Sequence, residues 1–105
     1  NKISCPDDFF SSSFDYFLKV KGLSMKDAGI IEDDLVAVKK THDVKNGDIV
    51  IARIDDEVTI KFLNRKSPNI VELEPANDDF QNIIVDLEHE DFTIEGKSVG
   101  LLRRN

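Results

Sequence analysis

The chain has 105 residues, with 14 lysines and arginines against 21 aspartates and glutamates, so its formal charge at pH 7 is −7. This length suits one small domain with a modest hydrophobic core. The acidic balance argues against nucleic-acid binding by this segment, since phosphate contacts need clustered cations. A single cysteine, Cys5, excludes an intrachain disulfide and a thiolate metal cluster. The short acidic groups, Glu32-Asp33-Asp34 among them, are interpreted as solvated turns. We therefore predict no metal site and no cofactor.

No apolar run has the length of a signal-peptide core or of a membrane span. The first ten residues, NKISCPDDFF, hold no sustained apolar stretch, and residues 49–52 are one of the longest apolar runs elsewhere. With a lone cysteine, a reducing cytoplasm is the simplest compartment, and we predict no contact with a membrane.

The chain divides into a short lead-in and one domain. Residues 1–14 are interpreted as the end of a hinge or linker, because they combine Pro6, two acids and three consecutive serines. Residues 15–105 are interpreted as the domain, in which short β-branched and aliphatic runs alternate with turn residues. The predicted strands are 15–21, 35–40, 48–54, 57–63, 70–74, 92–95 and 98–103.

Turn chemistry between these runs favours antiparallel pairing. Asp55-Asp56 is interpreted as a two-residue link, and Gly96 is placed in a break between the last two strands. Residues 26–31 predict one helical turn, and residues 98–103 a sheet edge suited to antiparallel self-association. The expected fold class is mainly β, a single small domain of antiparallel strands and short turns.

Ser24, in the segment KGLSMKDAGI, admits two interpretations. The spacing from Ser24 to Asp27 matches a helix-capping pattern, in which the serine caps and the acid reaches back. Gly22, however, permits the sharp turn that exposes a serine hydroxyl at a strand end, which favours a nucleophile. The amide of Met25 is then a candidate oxyanion donor. These ten residues alone favour the cap and leave the nucleophile open.

Lys61, in the segment EVTIKFL, also admits two interpretations. Strand alternation places Thr59, Lys61 and Leu63 on one face. Because Leu63 is apolar, the lysine is a candidate for burial, which lowers a lysine pKa and provides a neutral amine as general base. Thr59 is a candidate hydroxyl partner of that amine. The alternative is an ordinary strand lysine with its ammonium in water, beside a threonine chosen for strand propensity.

The two histidines are the other candidate bases for a serine nucleophile. His42 lies in Thr-His-Asp and His89 in Glu-His-Glu, both polar, turn-like surroundings. Both are interpreted as surface histidines.

Taken together, these segments resemble the family of LexA repressors, UmuD mutagenesis proteins and certain phage repressors, whose C-terminal domain cleaves its own chain. Signal peptidases share the Ser-Lys design but are rejected here because no membrane anchor is present. The resemblance covers residues 15–103 and ends in the segment FTIEGKSVGLLR. Its other parts are Gly22-x-Ser-Met-Lys-Asp-x-Gly29, Gly47-x-Ile-Val-Ile-Ala-Arg53 and Asp56-Glu-Val-Thr-x-Lys61.

The resemblance implies a serine endopeptidase with a LexA and signal-peptidase-like β fold. Carried over by position, the nucleophile falls on Ser24, the general base on Lys61 and the oxyanion donor on the backbone amide of Met25. Thr59 matches the hydroxyl partner of the lysine, and Gly22 supports the serine turn.

The resemblance also implies a substrate and partners. The substrate is the protein's own hinge peptide, cut at an Ala-Gly-type bond, and the activator is the RecA filament, which signals DNA damage in the SOS response. Cleavage then derepresses DNA repair genes. The implied assembly is a homodimer in the bacterial cytoplasm, which contacts DNA only through an N-terminal winged-helix domain absent from this chain.

Several expectations concern the extent and role of the chain. We expect a C-terminal cleavage product or a truncated form, and we interpret Ala28-Gly29 as a chance dipeptide because it lies too close to Ser24 to fold back as substrate. Two alternatives stay open: a UmuD-like polymerase accessory domain, and a catalytically idle dimerisation module.

Overall fold

Seven antiparallel strands and one short 3₁₀ turn make up the part of the chain that the computed structural model describes, residues 13–104. The predicted mainly β, antiparallel class is confirmed. The hinge interpretation of residues 1–14 falls almost wholly outside the described residues, as does Cys5. The strands are β1 (Tyr16–Lys19), β2 (Leu35–Lys39), β3 (Ile49–Ile54), β4 (Glu57–Ser67), β5 (Ile70–Glu74), β6 (Ile83–Asp86) and β7 (Phe92–Leu102), and the 3₁₀ turn is Lys26–Ala28.

The strands form one sheet in the order β1-β2-β7-β3-β4-β5-β6. Most neighbours are joined by tight connections, as in the β3–β4 hairpin, where Ile54 pairs with Glu57 across the predicted Asp55-Asp56 link. Strand β7 instead inserts between β2 and β3: residues 92–97 pair with β3 and residues 97–102 with β2. The sheet is therefore continuous only because β7 spans both halves.

The prediction of two strands separated at Gly96 is wrong, because β7 is a single strand of 11 residues. Gly96 is buried beside the end of β2, and an added Cβ would overlap the carbonyl oxygen of Lys39 and the side chain of Val38. Glycine in a strand interior marks such close backbone approach. Here the missing side chain lets β7 pass from β3 to β2 without breaking.

Strand β6 was not predicted, and β4 is longer than predicted. The β6 sequence offers only three apolar residues between polar ones, and Ile84 points outward from the sheet edge. Pairing of β6 with β5, for example Val85 opposite Val71, makes it a strand. Strand β4 continues through polar residues to Ser67 because its far end pairs with β5.

Two clusters of buried side chains form the core, and β3 contributes to both because successive strand residues point to opposite faces. The first cluster contains Val44, Val50, Ala52, Leu63, Val71, Leu73, Val85 and Ile94. The second contains Val20, Met25, Ile30, Val36, Val38, Ile51 and Ile60. The second cluster anchors the loop between β1 and β2. Within residues 13–104, no helix has the length and apolar character that crossing a membrane requires.

Candidate functional site

The loop between β1 and β2 holds Ser24 half-buried on a fixed backbone. Gly22 adopts φ +78°, a left-handed conformation that would strain any other residue, and its N–H donates to Glu32 Oε1 at 3.0 Å. Met25, 2% exposed, packs into the second core cluster. Lys26 N–H donates to Leu23 O at 3.1 Å and closes the turn around the serine.

Ser24 is not a helix cap, so the capping interpretation is wrong. The residue that precedes the 3₁₀ turn is Met25, and no side chain caps the turn. A capping serine would accept from the amide of Asp27, three residues on. That amide instead donates to Ala76 O at 2.7 Å, in the connection between β5 and β6. The Ser24 hydroxyl is thus free of a capping role.

Lys61 lies beside Ser24 although 37 residues separate them. Its side chain leaves β4 opposite Val50, is 7% exposed, and its Nζ donates to Ser24 Oγ at 3.0 Å and to Thr59 Oγ1 at 2.5 Å. In a flat sheet, β1 and β4 would lie about 19 Å apart, four strand spacings. The sheet and the β1–β2 loop must therefore curve together to bring these side chains into contact.

The surroundings of Lys61 disfavour its charged form. Burial lowers the pKa of the Lys61 ammonium below its ordinary value. Within residues 13–104 no carboxylate lies within ion-pair distance of its Nζ, so only the two hydroxyls hold it. An amine of lowered pKa at hydrogen-bond distance from a serine hydroxyl has the geometry of a general base next to a nucleophile.

The backbone next to Ser24 offers donors for a negatively charged oxygen. Across the described part of the chain, neither the Ser24 nor the Met25 amide donates to another group. Free amides at a nucleophile turn are the usual source of an oxyanion hole. The Met25 amide is therefore available for the role expected from the sequence.

A cleft of about 300 Å³ opens onto these groups. One wall is the end of β1 and the following residues, 18–21, and the other is the start of β4, residues 58–61. Ser24 and Met25 lie between the walls, and Val58 is exposed. A narrow cleft between two extended segments accommodates an extended peptide.

Neither histidine belongs to this cleft, and the prediction that both are surface residues is confirmed. His42 is exposed. His89 Nδ1 donates to Asp86 Oδ2 at 2.8 Å in the turn that follows β6, an edge strand of the sheet. That hydrogen bond lowers the pKa of the Asp86 carboxyl. Ligand atoms of Asp86, Glu88 and His89 lie within 4.8 Å of one another, an exposed group of a common kind.

Sequence reasoning missed the residues that fix the Ser24 loop. Asp34 was interpreted as part of a solvated turn, but it is 2% exposed and accepts from Arg103 Nε and Nη2, both at 2.8 Å. The Arg103 guanidinium lowers the pKa of the Asp34 carboxyl. Asn77, 8% exposed, donates to Leu23 O at 2.8 Å. No local pattern signals either contact, since both partners are distant in the sequence.

Comparisons with known proteins match this chain to a peptidase family. The Peptidase S24-like family model matches residues 1–99. A LexA repressor from Marinomonas sp. (strain MWYL1) is 56% identical over 102 residues, covering 97% of this chain and 49% of the relative. A LexA repressor from Cellvibrio japonicus (strain Ueda107) is 54% identical over 101 residues, covering 95% of this chain and 50% of the relative.

A third LexA repressor, from Saccharophagus degradans, is 55% identical over 100 residues, covering 94% of this chain and 50% of the relative. The chain thus spans about half the length of the curated relatives it matches. The family model matches most of the chain, and the three relatives are more than 50% identical to it in sequence. This chain belongs to the Peptidase S24-like family.

Proposed function

We propose that this chain is the Ser-Lys peptidase domain of a LexA-type repressor, a serine endopeptidase that cuts an Ala-Gly-type bond in its own hinge. Ser24 is the nucleophile, Lys61 the general base, the Met25 amide an oxyanion donor and Thr59 the residue that orients the lysine. The observation that carries the proposal is a lysine 7% exposed, without a carboxylate partner in residues 13–104, whose Nζ lies 3.0 Å from a serine Oγ.

The proposed reaction is acyl transfer in two steps. Neutral Lys61 takes the hydroxyl proton as Ser24 Oγ bonds to the peptide carbonyl carbon, and the Met25 amide stabilises the oxyanion. The lysine ammonium then protonates the leaving amine as the C–N bond breaks. In the second step Lys61 deprotonates a water molecule as its oxygen bonds to the acyl carbon, and the lysine ammonium returns that proton to Ser24 Oγ as the ester C–O bond breaks. The product acid then ionises to the carboxylate.

Thr59 has a defined place in this scheme. Its hydroxyl lies 2.5 Å from Lys61 Nζ, two residues earlier on the same strand face. The contact limits rotation of a long, flexible side chain and keeps Nζ directed at Ser24. This lowers the entropy cost of reaching a reactive geometry. Gly22 contributes through the left-handed backbone that turns the chain toward the serine.

The regulation of cleavage follows from the same burial. Binding of the hinge in the cleft excludes water, which penalises the Lys61 ammonium further and favours the reactive amine. We propose that the RecA filament of the SOS response stabilises this docked form, so that DNA damage triggers cleavage and derepresses repair genes. The LexA repressor names of three relatives support this role over a UmuD-like accessory function.

Cleavage of a separately supplied peptide tests the proposal. The substrate is a synthetic peptide with an Ala-Gly bond in the hinge sequence of one of the LexA relatives. We expect slow cleavage at that bond, lost in Ser24→Ala and retained in Ser67→Ala, whose serine is exposed at the end of β4. Equal cleavage by the Ser24→Ala variant would sink the assignment.

A second function, dimerisation, is favoured by one observation. The β3 ladder ends at Lys97, so within the described residues positions 98–102 of β7 pair only with β2. An open strand edge of this kind pairs readily with an identical edge in antiparallel fashion. We propose a homodimer through this edge, measurable by sedimentation velocity. A dimer without peptide cleavage would support the idle dimerisation module instead.

A further inference from the structure

The connection between β5 and β6 contacts the backbone of the Ser24 loop at three points. Asn77 Nδ2 donates to Leu23 O at 2.8 Å, Ala76 N–H donates to Ser24 O at 2.8 Å, and Asp27 N–H donates to Ala76 O at 2.7 Å. The paired residues lie 49 or more positions apart in the sequence. The catalytic assignment above uses none of the groups that this connection supplies.

Asn77 is a buried polar residue whose side-chain amide nitrogen and oxygen both form hydrogen bonds. It is 8% exposed, its Nδ2 donates to Leu23 O and its Oδ1 accepts from Asp79 N–H at 3.0 Å. A buried amide is retained only where its hydrogen bonds are satisfied, since an unpaired one is costly. The Oδ1 contact shapes the connection itself, whereas the Nδ2 contact reaches out to the loop that carries the nucleophile.

The hydrogen bonds that this connection donates to Leu23 O and Ser24 O, together with the one from Lys26 N–H to Leu23 O, fix the direction of two amide groups. A trans peptide is planar, so the C=O of one residue and the N–H of the next point in opposite directions. A donor on Leu23 O therefore sets the direction of the Ser24 N–H, and a donor on Ser24 O sets that of the Met25 N–H. Neither of these two amides, those of Ser24 and Met25, donates to an acceptor within residues 13–104.

We propose that Asn77 is a positioning residue for the peptidase site: its Nδ2 hydrogen bond to Leu23 O orients the Leu23–Ser24 peptide, and with it the nucleophile and the amides that face the oxyanion. The Ala76 amide acts beside it on the next peptide. This inference rests on the proposed function. Among the described residues, Asn77 makes no hydrogen bond to Lys61 and does not line the cleft, so it acts through the backbone of the Ser24 turn.

Two substitutions separate this role from a role in folding the connection. Asn77→Asp keeps an oxygen that accepts from Asp79 N–H, but it replaces the donor to Leu23 O with a carboxylate oxygen that repels that carbonyl. Asn77→Ala loses both contacts without adding charge. Asn82→Ala is the matched control, since Asn82 is exposed in the same connection and bonds to Glu72 instead. Rates are normalised to the folded fraction from thermal melts.

With the Ala-Gly hinge peptide as substrate, we expect both Asn77 variants to lose about 10- to 100-fold in kcat, as for misplaced reacting groups. KM stays within about twofold, because the cleft walls are unchanged. The pH at half-maximal rate stays that of the parent chain, because Lys61 keeps its surroundings. The Asn82→Ala variant keeps the parent kcat.

Several outcomes would overturn the inference. A parent-like kcat in Asn77→Asp would show that the donor is dispensable. A rate loss accompanied by an upward shift of the pH midpoint would show that Asn77 acts by packing around Lys61.

A measurement without turnover separates this inference from the proposed function. In ¹⁵N spectra, the Ser24 and Met25 amide signals should move in Asn77→Asp and stay in place in Asn82→Ala. Unmoved signals overturn the positioning role whether or not the chain cleaves. If they move while the parent chain cleaves no peptide, the positioning contact stands and the peptidase assignment fails.

Discussion

The cleft at Ser24 and the turn at Asp86 offer two contrasting pairs of reactive side chains. At the turn, His89 Nδ1 bonds to Asp86 Oδ2 at 2.8 Å, half of a familiar catalytic arrangement, yet the His89 side chain is 75% exposed. In the cleft, Lys61 lies 3.0 Å from Ser24 Oγ with its side chain buried. Water screens the first pair, whereas the protein sets the protonation of the second.

The difference teaches that, under the proposed function, burial more than residue type separates the pair in the cleft from a surface contact. Histidine has the more suitable intrinsic pKa and lysine the less suitable one. Burial lowers the pKa of the Lys61 ammonium, while the hydrogen bond from His89 only lowers the pKa of an already ionised Asp86 carboxyl. Substitutions that change one lysine or one histidine test this contrast directly.

The largest expected effect is on cleavage by Lys61→Met, which keeps the length of the side chain and removes the amine. We expect a loss of about 10³-fold or more in kcat, comparable to removal of a base from other serine peptidases. Lys66→Met, on the same strand but exposed, is the control and should cleave normally. Comparable losses in both variants would break the contrast between buried and exposed residues.

The next effect is the pH dependence of cleavage. Burial lowers the folded-state pKa of Lys61, so the amine becomes neutral at a lower pH than an exposed lysine would. Below that pKa the rate should fall about tenfold per pH unit, and above it the rate should reach a plateau. A midpoint in kcat against pH near the ordinary value of 10.5 would show that burial does not tune Lys61.

A smaller effect concerns stability. Because the folded pKa of Lys61 is lowered, the ammonium costs folding free energy at every pH below it, and this cost fades as the pH rises toward 10.5. Lys61→Met should therefore raise the free energy of unfolding by on the order of 1 kcal/mol at neutral pH, as in other trades of activity for stability. Urea titrations at several pH values measure it, and a destabilised variant would contradict the assigned cost.

The smallest effect is expected at the turn. His89→Gln keeps a polar side chain and removes an imidazole whose hydrogen bond to Asp86 is exposed to water, so neither kcat nor the melting temperature should change measurably. A peptide-cleavage assay and a thermal melt are sufficient. A cleavage defect here would give the exposed pair a function that its position does not suggest.

The sequence predicted the fold where local pattern and tertiary structure agree. Strands with β-branched runs, such as residues 49–54, and the Asp55-Asp56 link were predicted correctly. Strand β6 was missed because its stability comes from pairing with β5, and Gly96 was misinterpreted because its reason is the neighbouring Lys39 backbone. Both errors concern contacts between distant segments, which a local pattern does not contain.

The candidate site shows the same division. Ser24 and Lys61 were singled out by a turn glycine, strand alternation and a family resemblance. Of the two interpretations that the sequence leaves open for Lys61, the structure shows the buried one. Asp34 and Asn77 were not, because their partners lie 69 and 54 residues away. Supporting residues of this kind can be identified only from the structure, because their contacts join segments that are distant in the sequence.

Strand β7 has a consequence for the moment at which reactivity arises during synthesis. Apart from β7, the described sheet consists of two separate pieces, β1-β2 and β3-β4-β5-β6. Ser24 belongs to the first piece and Lys61 to the second, and both are synthesised before residues 92–102. A growing chain therefore carries both reactive groups while the sheet that brings them together is still incomplete. Under the proposed function, the pair therefore becomes reactive only after β7 has joined the two pieces, so that self-cleavage waits for the complete sheet.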